Sequence, residues 1–307
     1  MMETLRHSPK DLTCESERTG FYSRGVWCAA TLHWPVGASR KSTPAILMLH
    51  GWGGIQDALT VSFYEEFTRA GYLVMTFDYR GWGDSAGLPR QPISARQRMW
   101  DADAALAFLK SQPGVDLARI VVWGSSFGGG HAVELAADHP ELAGVIAQVP
   151  MLDGMAAVRA VPLLRLMQFA LCSLVDMIKP GRPLYIPVLS EPGAFSSMDR
   201  DDASKAMKIA EESIGRQYDN RVAARSLMTM GPYRPFKLLK NLRVPTLLLG
   251  ATEDTVAPFV ESSVRRVNNP HIRVATVKAN HFEPYFEPVF SEVIRCELDF
   301  LESLKVT

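Results

Sequence analysis

The chain has 307 residues, of which 47% are apolar and 21% are charged, as expected for a globular protein with a substantial core. Basic and acidic side chains number 33 each, so the formal net charge is zero. This balance argues against nucleic acid or an acidic membrane as the main partner, because both would favour an excess of basic residues.

The first half of the chain alternates short apolar runs, typical of buried strands, with stretches of helical periodicity. Residues 21–34 are predicted to form strands connected as a hairpin. The elements predicted after them are, in chain order, a strand at 45–49, a helix at about 57–70, a strand at 72–77, a helix at 94–110, a strand at 119–123, a helix at 127–138 and a strand at 143–149. Such alternation predicts an α/β protein with a parallel sheet covered by helices on both faces.

The alternation is interrupted between about 151 and 240. This segment has helical stretches, prolines and charges but no strand-like runs. After it, strands at 244–249 and 272–277 alternate with helices at 258–267 and about 284–304.

We therefore predict one core domain built from residues 1–150 and 241–307, with residues 151–240 inserted as a helical cap. The insertion leaves and re-enters the core at strand ends, where α/β sheets bind ligands, so we expect it to cover the binding site. Its most apolar stretch, 161–178, is broken by an arginine, a glutamine and an aspartate. These residues favour a buried or lid helix over a membrane span.

Two features bear on the cellular compartment. The first twenty residues contain charges throughout and no apolar core, so no signal peptide is predicted. The cysteines form no Cys-x-x-Cys pair, and their spacing fits neither a zinc site nor a disulfide framework. We therefore expect a cytoplasmic protein with free thiols. The four cysteines are Cys14, Cys28, Cys172 and Cys296.

The pentapeptide Gly-Ser-Ser-Phe-Gly at 124–128 has the pattern Gly-x-Ser-x-Gly with Ser126 at its centre. It lies between an apolar strand and a helix, the context in which a sharp turn projects a serine hydroxyl for nucleophilic attack. Chance produces such a pattern in roughly one chain of this length in ten, so the flanking elements carry much of the inference. Ser126 is the predicted nucleophile, and Ser125 stands at the wrong place in the pattern.

The general base is predicted to be His281, which follows the strand at 272–277. Its position completes the chain order Ser…Asp…His that is expected of such a triad. The other histidines lie in the N-terminal tail, in an early strand, before a glycine turn, on or after the helix that follows the nucleophile, or at the start of a strand; they are His7, His33, His50, His131, His139 and His271.

The acid that orients the histidine should follow the preceding strand, and Asp254 is the predicted residue. Glu253 stands one residue too early. Asp153, which follows the strand at 143–149, is the more distant alternative. A loop carboxylate that only caps the next helix is the structural alternative for each of them.

Donors for a tetrahedral oxyanion are expected from two backbone N–H groups. Phe127, the residue after the nucleophile, is predicted to supply one. The glycine-rich run His-Gly-Trp-Gly-Gly at 50–54 is predicted to supply the other, from Trp52, with Gly51 or Gly53 as alternatives. His50 is expected to brace this loop.

Together these motifs resemble those of α/β-hydrolase fold proteins. The resemblance implies an eight-stranded, mostly parallel sheet and a triad of Ser126, Asp254 and His281. The chain is also similar to the dienelactone-hydrolase-like and acyl-peptidase-like branch, which includes hydrolases and acyltransferases of polyketide pathways. Dienelactone hydrolases themselves use cysteine where this chain has serine. The matching segments cover both halves of the chain and are H-G-W-G-G at 50–54, D-Y-R-G-W-G-D-S at 78–85, G-S-S-F-G at 124–128, Gly250…Asp254…Pro258 and H-F-E-P-Y at 281–285.

The predicted function is a serine hydrolase that cleaves a carboxylic ester, thioester or lactone through an acyl-enzyme intermediate. No cofactor is required, and no H-x-x-H or H-E-x-x-H spacing indicates a metal site. The substrate is expected to be a small, partly apolar acyl compound bound under the cap.

Other functions use the same residues. An acyltransferase or a small-peptide hydrolase would employ the same triad. A non-catalytic binding relative is a further alternative, although such proteins usually lose a triad residue. A homo-oligomer is left open.

Overall fold

The computed structural model describes residues 14–179, 182–200 and 202–306. His7 lies outside the described residues, as do the first 13 of the twenty residues in which no signal peptide is predicted. Within the described ranges, none of the helices combines the length and apolar character needed to cross a membrane.

The main sheet has eight strands in the order β1-β2-β4-β3-β5-β6-β9-β10. The six strands from β4 to β10 in this order run parallel to one another, and β2 is antiparallel to both β1 and β4. The predicted α/β class and the eight-stranded, mostly parallel sheet are therefore confirmed. The strands are β1 (Cys14–Ser23), β2 (Val26–Pro35), β3 (Thr43–Leu49), β4 (Leu73–Phe77), β5 (Val115–Ser125), β6 (Gly144–Gln148), β9 (Thr246–Ala251) and β10 (Ile272–Val277).

Both faces of this sheet are buried, as the residues of β3 illustrate. Ile46 and Met48 pack into the apolar cluster on one face, whereas Leu47 and Leu49 pack into the cluster on the other. Successive side chains of a strand point to opposite faces, so a strand covered on both sides is apolar throughout. This is why the inner strands appear in the sequence as continuous apolar runs.

Helices cover the two faces. Side chains of α1 and α8 pack on one face, and side chains of α2 and α3 pack on the other. The final helix begins at residue 289 instead of about 284, and a short 3-10 turn at Glu283–Tyr285 precedes it. The helices are α1 (Val61–Arg69), α2 (Ala95–Lys110), α3 (Phe127–Asp138), α4 (Gly154–Arg159), α5 (Leu163–Ile178), α6 (Ala203–Ile214), α7 (Glu261–Arg265) and α8 (Val289–Ser303).

The segment between β6 and β9 contains α4, α5 and α6, together with 3-10 turns at Ala224–Thr229 and Pro235–Asn241. It also contains two short strands, β7 (Tyr185–Ile186) and β8 (Val222–Ala223), which pair antiparallel. The expectation that this segment has no strands is therefore wrong. Strands of two residues are too short to produce a pattern of alternating polarity.

Helix α5 buries two of its polar side chains and exposes several of its large apolar ones. Ser173 donates a hydrogen bond to the carbonyl of Ala224, and the buried Asp176 forms an ion pair with Arg225. Several large apolar side chains of this helix are exposed, among them Met167 at 62%. These polar contacts join the helix to the rest of the insertion, beside apolar side chains of the helix that pack against the core.

Glu297 of α8 is a buried carboxyl group beneath β5. Both of its oxygens accept a hydrogen bond from the indole nitrogen of Trp123, at 3.2 and 3.1 Å. Burial raises the pKa of Glu297 from 4.5 to about 8. The side chain is therefore protonated in the folded protein at neutral pH.

We expect this burial to make stability depend on pH. Between about pH 4.5 and 8 the unfolded state binds fewer protons at this position, so ionisation of the unfolded chain lowers the free energy of unfolding as pH rises. Glu297→Gln removes this titration and keeps an acceptor for Trp123. The wild type should therefore lose more stability than the variant as pH rises. The difference in melting temperature, variant minus wild type, should be at least about 2–4 °C larger at pH 8 than at pH 5. A difference that stays constant with pH would contradict the shifted pKa.

Candidate active site

Ser126 occupies a strained turn between β5 and α3. Its backbone has φ 57° and ψ −123°, in the region that favours glycine. A side chain at Gly128 would collide with the carbonyl oxygen of Leu49, so this glycine permits the close approach of helix and strand. The turn therefore has the strand-to-helix geometry that projects a serine hydroxyl from the carboxyl edge of a sheet.

Ser126, His281 and Asp254 form one continuous hydrogen-bonded chain. The Nε2 atom of His281 lies 2.9 Å from the Oγ atom of Ser126, and Nδ1 lies 2.6 Å from Oδ2 of Asp254. All three side chains are buried. They come from the carboxyl ends of β5, β9 and β10, which are parallel strands and so end at the same edge of the sheet.

The second oxygen of Asp254 fixes the carboxylate in place. Oδ1 accepts hydrogen bonds from the backbone N–H groups of Val256 and Ala257, at 2.8 and 2.7 Å. Because a carboxylate can only accept, Nδ1 of His281 carries the hydrogen in this contact, which leaves Nε2 able to accept the proton of the serine hydroxyl. This arrangement can generate a nucleophilic alkoxide during attack on a carbonyl carbon.

The two alternative acids lie elsewhere. Asp153 caps the N-terminus of α4, accepting from the backbone of Met155, and forms an ion pair with Arg234. Glu253 is exposed and lies 3.9 Å from Lys278. Neither is hydrogen-bonded to His281, whereas Asp254 is.

The turn at 51–54 lies directly beside Ser126. A Cβ atom placed on Gly51 would come within 2.9 Å of the Cβ atom of Ser126. The N–H of Gly54 donates to the carbonyl of Gly51, so Trp52 and Gly53 are the two central residues of the turn. Phe127 is the first residue of α3, and the N–H groups of a helix's first turn have no acceptor within the helix.

Several contacts near the site were not predicted from the sequence. Arg98 of α2 donates a hydrogen bond to the carbonyl of Gly51 at 2.9 Å. Tyr285 lies with its hydroxyl 2.5 Å from the Oγ atom of Ser125, which gives the neighbouring serine a structural partner. The signal for Arg98 was available, since it lies one helical turn before Ala102, on the buried and mostly apolar face of α2.

The segment 78–85 has a structural role in the described contacts. The carboxylate of Asp78 accepts from the backbone N–H groups of Gln56 and Asp84, and burial raises its pKa to about 6. Arg80 pairs with Asp101 of α2 at 2.6 Å. These contacts hold the turn after β4 against neighbouring elements. None of them involves the hydrogen-bonded chain of Ser126, His281 and Asp254.

An apolar cavity of about 340 Å³ opens beside the serine. Core residues Trp52, Ser126 and Phe127 line one side of it. The insertion supplies the other side, and its contribution includes Val158, Leu166, Phe169, Met198, Leu227 and Met230. Arg200 is the one charged residue among the described residues that line it.

No group of three or more histidine, cysteine, aspartate or glutamate side chains in the described part of the chain has a geometry that could hold a metal ion.

A family model described as serine aminopeptidase, S33, matches residues 40–281. Among curated proteins, the chain is 33% identical over 287 residues to the quorum-quenching protein AidA of Acinetobacter baumannii, covering 92% of this chain and 93% of that protein. It is 28% identical over 228 residues to a thiohydrolase of Eupenicillium brefeldianum, covering 72% of this chain and 73% of the relative.

A solved structure extends the comparison to the fold. The α/β hydrolase GrgF of Penicillium sp. sh18 is similar with a TM-score of 0.75 and 22% identity, covering 95% of this chain and 100% of that one. GrgF of Penicillium sp., named a polyketide transferase, is 30% identical over 63% of this chain and 64% of its own length.

Proposed function

The chain belongs to the α/β-hydrolase superfamily, in the family described as serine aminopeptidase S33, and we propose that it cleaves a carboxylic ester, thioester or lactone. Its predicted resemblance to that superfamily and to polyketide-pathway proteins is confirmed. The finer assignment, a Ser-His-Asp hydrolase with an acyl-enzyme intermediate, is our proposal. The observation that carries it is the hydrogen-bonded chain from Asp254 through His281 to Ser126.

The proposed reaction begins when Oγ of Ser126 attacks the carbonyl carbon of the substrate. The hydroxyl proton passes to Nε2 of His281, and the carbonyl oxygen becomes an oxyanion that accepts from the N–H groups of Trp52 and Phe127. The tetrahedral intermediate collapses, the bond to the leaving group breaks, and His281 returns the proton to the departing alcohol, thiol or lactone oxygen.

Hydrolysis of the acyl-enzyme repeats these steps with water. His281 takes a proton from the water as its oxygen attacks the acyl carbon. Collapse of the second tetrahedral intermediate breaks the bond to Ser126, whose oxygen recovers the proton from His281, and the carboxylic acid leaves. Asp254 stays ionised and stabilises the imidazolium that forms in each half-reaction.

The cavity supports a substrate with an apolar acyl portion. Its lining is mostly aliphatic, aromatic and methionine side chains, which bind apolar groups and adapt to their shape. Similarity to a thiohydrolase supports a thioester as a candidate beside esters and lactones.

We propose that residues 151–240 act as a cap over a core formed by 1–150 and 241–307. The insertion supplies much of the cavity wall, and it contacts the turn beside the serine. The side chain of Trp52 donates to Ser197, and the hydroxyl of Tyr218 donates to the carbonyl of Gly53.

An acyltransferase is the second candidate. The chain shares its fold with GrgF, named a polyketide transferase, and the same acyl-enzyme could pass its acyl group to an alcohol or amine. An aminopeptidase is less well supported, because no carboxylate among the described residues lines the cavity to bind a free amino terminus. A non-catalytic binding role is disfavoured by the close geometry of all three triad residues.

The four cysteines are free, in keeping with the proposal of a cytoplasmic location, where thiols remain reduced. A homo-oligomer stays a prediction.

Asp254→Asn should abolish most turnover of a p-nitrophenyl ester. Without the carboxylate, His281 loses the partner that fixes its tautomer, and comparable changes in serine proteases lower kcat about 10⁴-fold. The matched control is Asp153→Asn, since asparagine still caps α4 and Asp153 does not contact His281. Steady-state kinetics with equal amounts of folded enzyme make the comparison. Equal losses in both variants, or none in Asp254→Asn, would refute the proposed triad.

Leu166→Trp should shorten the acyl chain that the enzyme accepts. Leu166 lines the cavity, so a larger side chain there takes up acyl-binding space. We expect kcat/KM for an octanoate ester to fall at least about tenfold while the value for the acetate ester changes little. Met167→Trp is the control, because the neighbouring side chain is 62% exposed. Equal effects on both esters would show that this cavity does not hold the acyl chain.

A further inference from the structure

Arg98 is a buried cation with few partners. Its side chain is 2% exposed and donates one hydrogen bond, from Nη1 to the carbonyl oxygen of Gly51 at 2.9 Å. Across the residues that the structure describes, its Nε and Nη2 atoms have no hydrogen-bond partner. The nearby carboxylate of Asp101 is paired with Arg80 instead.

Aromatic rings surround the guanidinium. Its carbon lies 4.4 Å from the ring centre of Tyr79, 5.8 Å from that of Trp82 and 5.9 Å from that of Phe127. Burial lowers the pKa of Arg98 to about 10, so the side chain remains charged at neutral pH. A buried charge without a counterion is costly, and apolar residues of similar volume are often equally or more stable in such places. Its presence therefore calls for a role other than stability.

The acceptor of Arg98 identifies that role. The carbonyl of Gly51 and the N–H of Trp52 belong to the same peptide unit. That unit is planar and trans, so the N–H points away from the carbonyl oxygen, and holding the oxygen fixes the direction of the N–H. Gly51 lies directly beside Ser126, as the 2.9 Å approach of its hypothetical Cβ atom shows.

A second side-chain donor acts on the same oxygen, which also accepts from the backbone N–H of Gly54. Nδ1 of His50 lies 3.3 Å from the carbonyl oxygen of Gly51, and burial lowers the pKa of His50 well below 6.5, so the ring is neutral. Because a carbonyl oxygen only accepts, Nδ1 carries the hydrogen of that neutral ring. The carbonyl oxygen of the Gly51–Trp52 peptide thus accepts from two side chains, one charged and one neutral, in addition to the N–H of Gly54.

We propose that Arg98 is a positioning residue of the oxyanion hole, which orients and polarises the Gly51–Trp52 peptide so that the Trp52 N–H binds the oxyanion more strongly. This inference rests on the proposed function. The cation acts through the peptide, and it is most effective when negative charge develops on the substrate oxygen, because electrostatic interactions are stronger in a site that excludes water.

The test is Arg98→Met. This change fills the site with an unbranched apolar side chain and removes both the charge and the hydrogen-bond donor. We expect kcat for a p-nitrophenyl ester to fall about 10–100-fold, less than when an oxyanion donor is removed outright, with little change in KM. Affinity for an alkylboronic acid, whose tetrahedral adduct with Ser126 mimics the oxyanion, should fall by a similar factor. The melting temperature should stay the same or rise.

Tyr79→Phe is the matched control. It removes a buried hydroxyl from the same cluster without touching the bond to Gly51, so its kcat and boronate affinity should equal those of the wild type. Arg98→Lys, which keeps the charge, should be intermediate between the wild type and Arg98→Met. Rates are divided by the folded fraction at the assay temperature, so that the activity per folded molecule can be compared even for a less stable variant.

An unchanged kcat and boronate affinity per folded Arg98→Met molecule would overturn the inference and assign Arg98 a structural role. Equal losses in Tyr79→Phe would also overturn it. If instead the wild type neither turns over esters nor binds the boronic acid, the proposed function itself fails.

Discussion

The left-handed backbone of Ser126 is the constraint on which the rest of the site depends. Such a conformation costs a residue other than glycine about 1–3 kcal/mol and persists only where the surroundings enforce it. Here β5, in the middle of the sheet, enforces it, and Gly128 and Gly51 leave room for neighbouring backbone. The turn directs Oγ toward His281 and places the N–H of Phe127 at the start of α3.

The turn at 51–54, which lies beside Ser126, also contacts the insertion. Arg98 and His50 hold the carbonyl of Gly51 from the core, while Tyr218 holds the carbonyl of Gly53 from the insertion. The proposed oxyanion donor therefore lies in a loop that is fixed from two sides. In our proposal the core performs acyl transfer and the insertion selects the acyl group, and this loop is where the two meet.

Much of this was predictable because the strongest signals were local. The apolar strands, the Gly-x-Ser-x-Gly turn and the order of Ser126, Asp254 and His281 along the chain follow from periodicity and known turn chemistry. Contacts between distant segments were not predictable. Arg98 meets Gly51 across 47 positions, and β7 pairs with β8 through two residues each. The two buried polar side chains of α5, Ser173 and Asp176, also depart from the rule that apolar faces are buried.

Trapping the acyl-enzyme tests directly whether Ser126 is the nucleophile. The protein is mixed with a p-nitrophenyl ester, quenched in acid within the first turnovers and analysed by peptide mass spectrometry. We expect a mass increase of one acyl group on the peptide that contains Ser126, and no such increase in Ser126→Ala. Rapid product formation with no adduct, or an adduct on another residue, would contradict it.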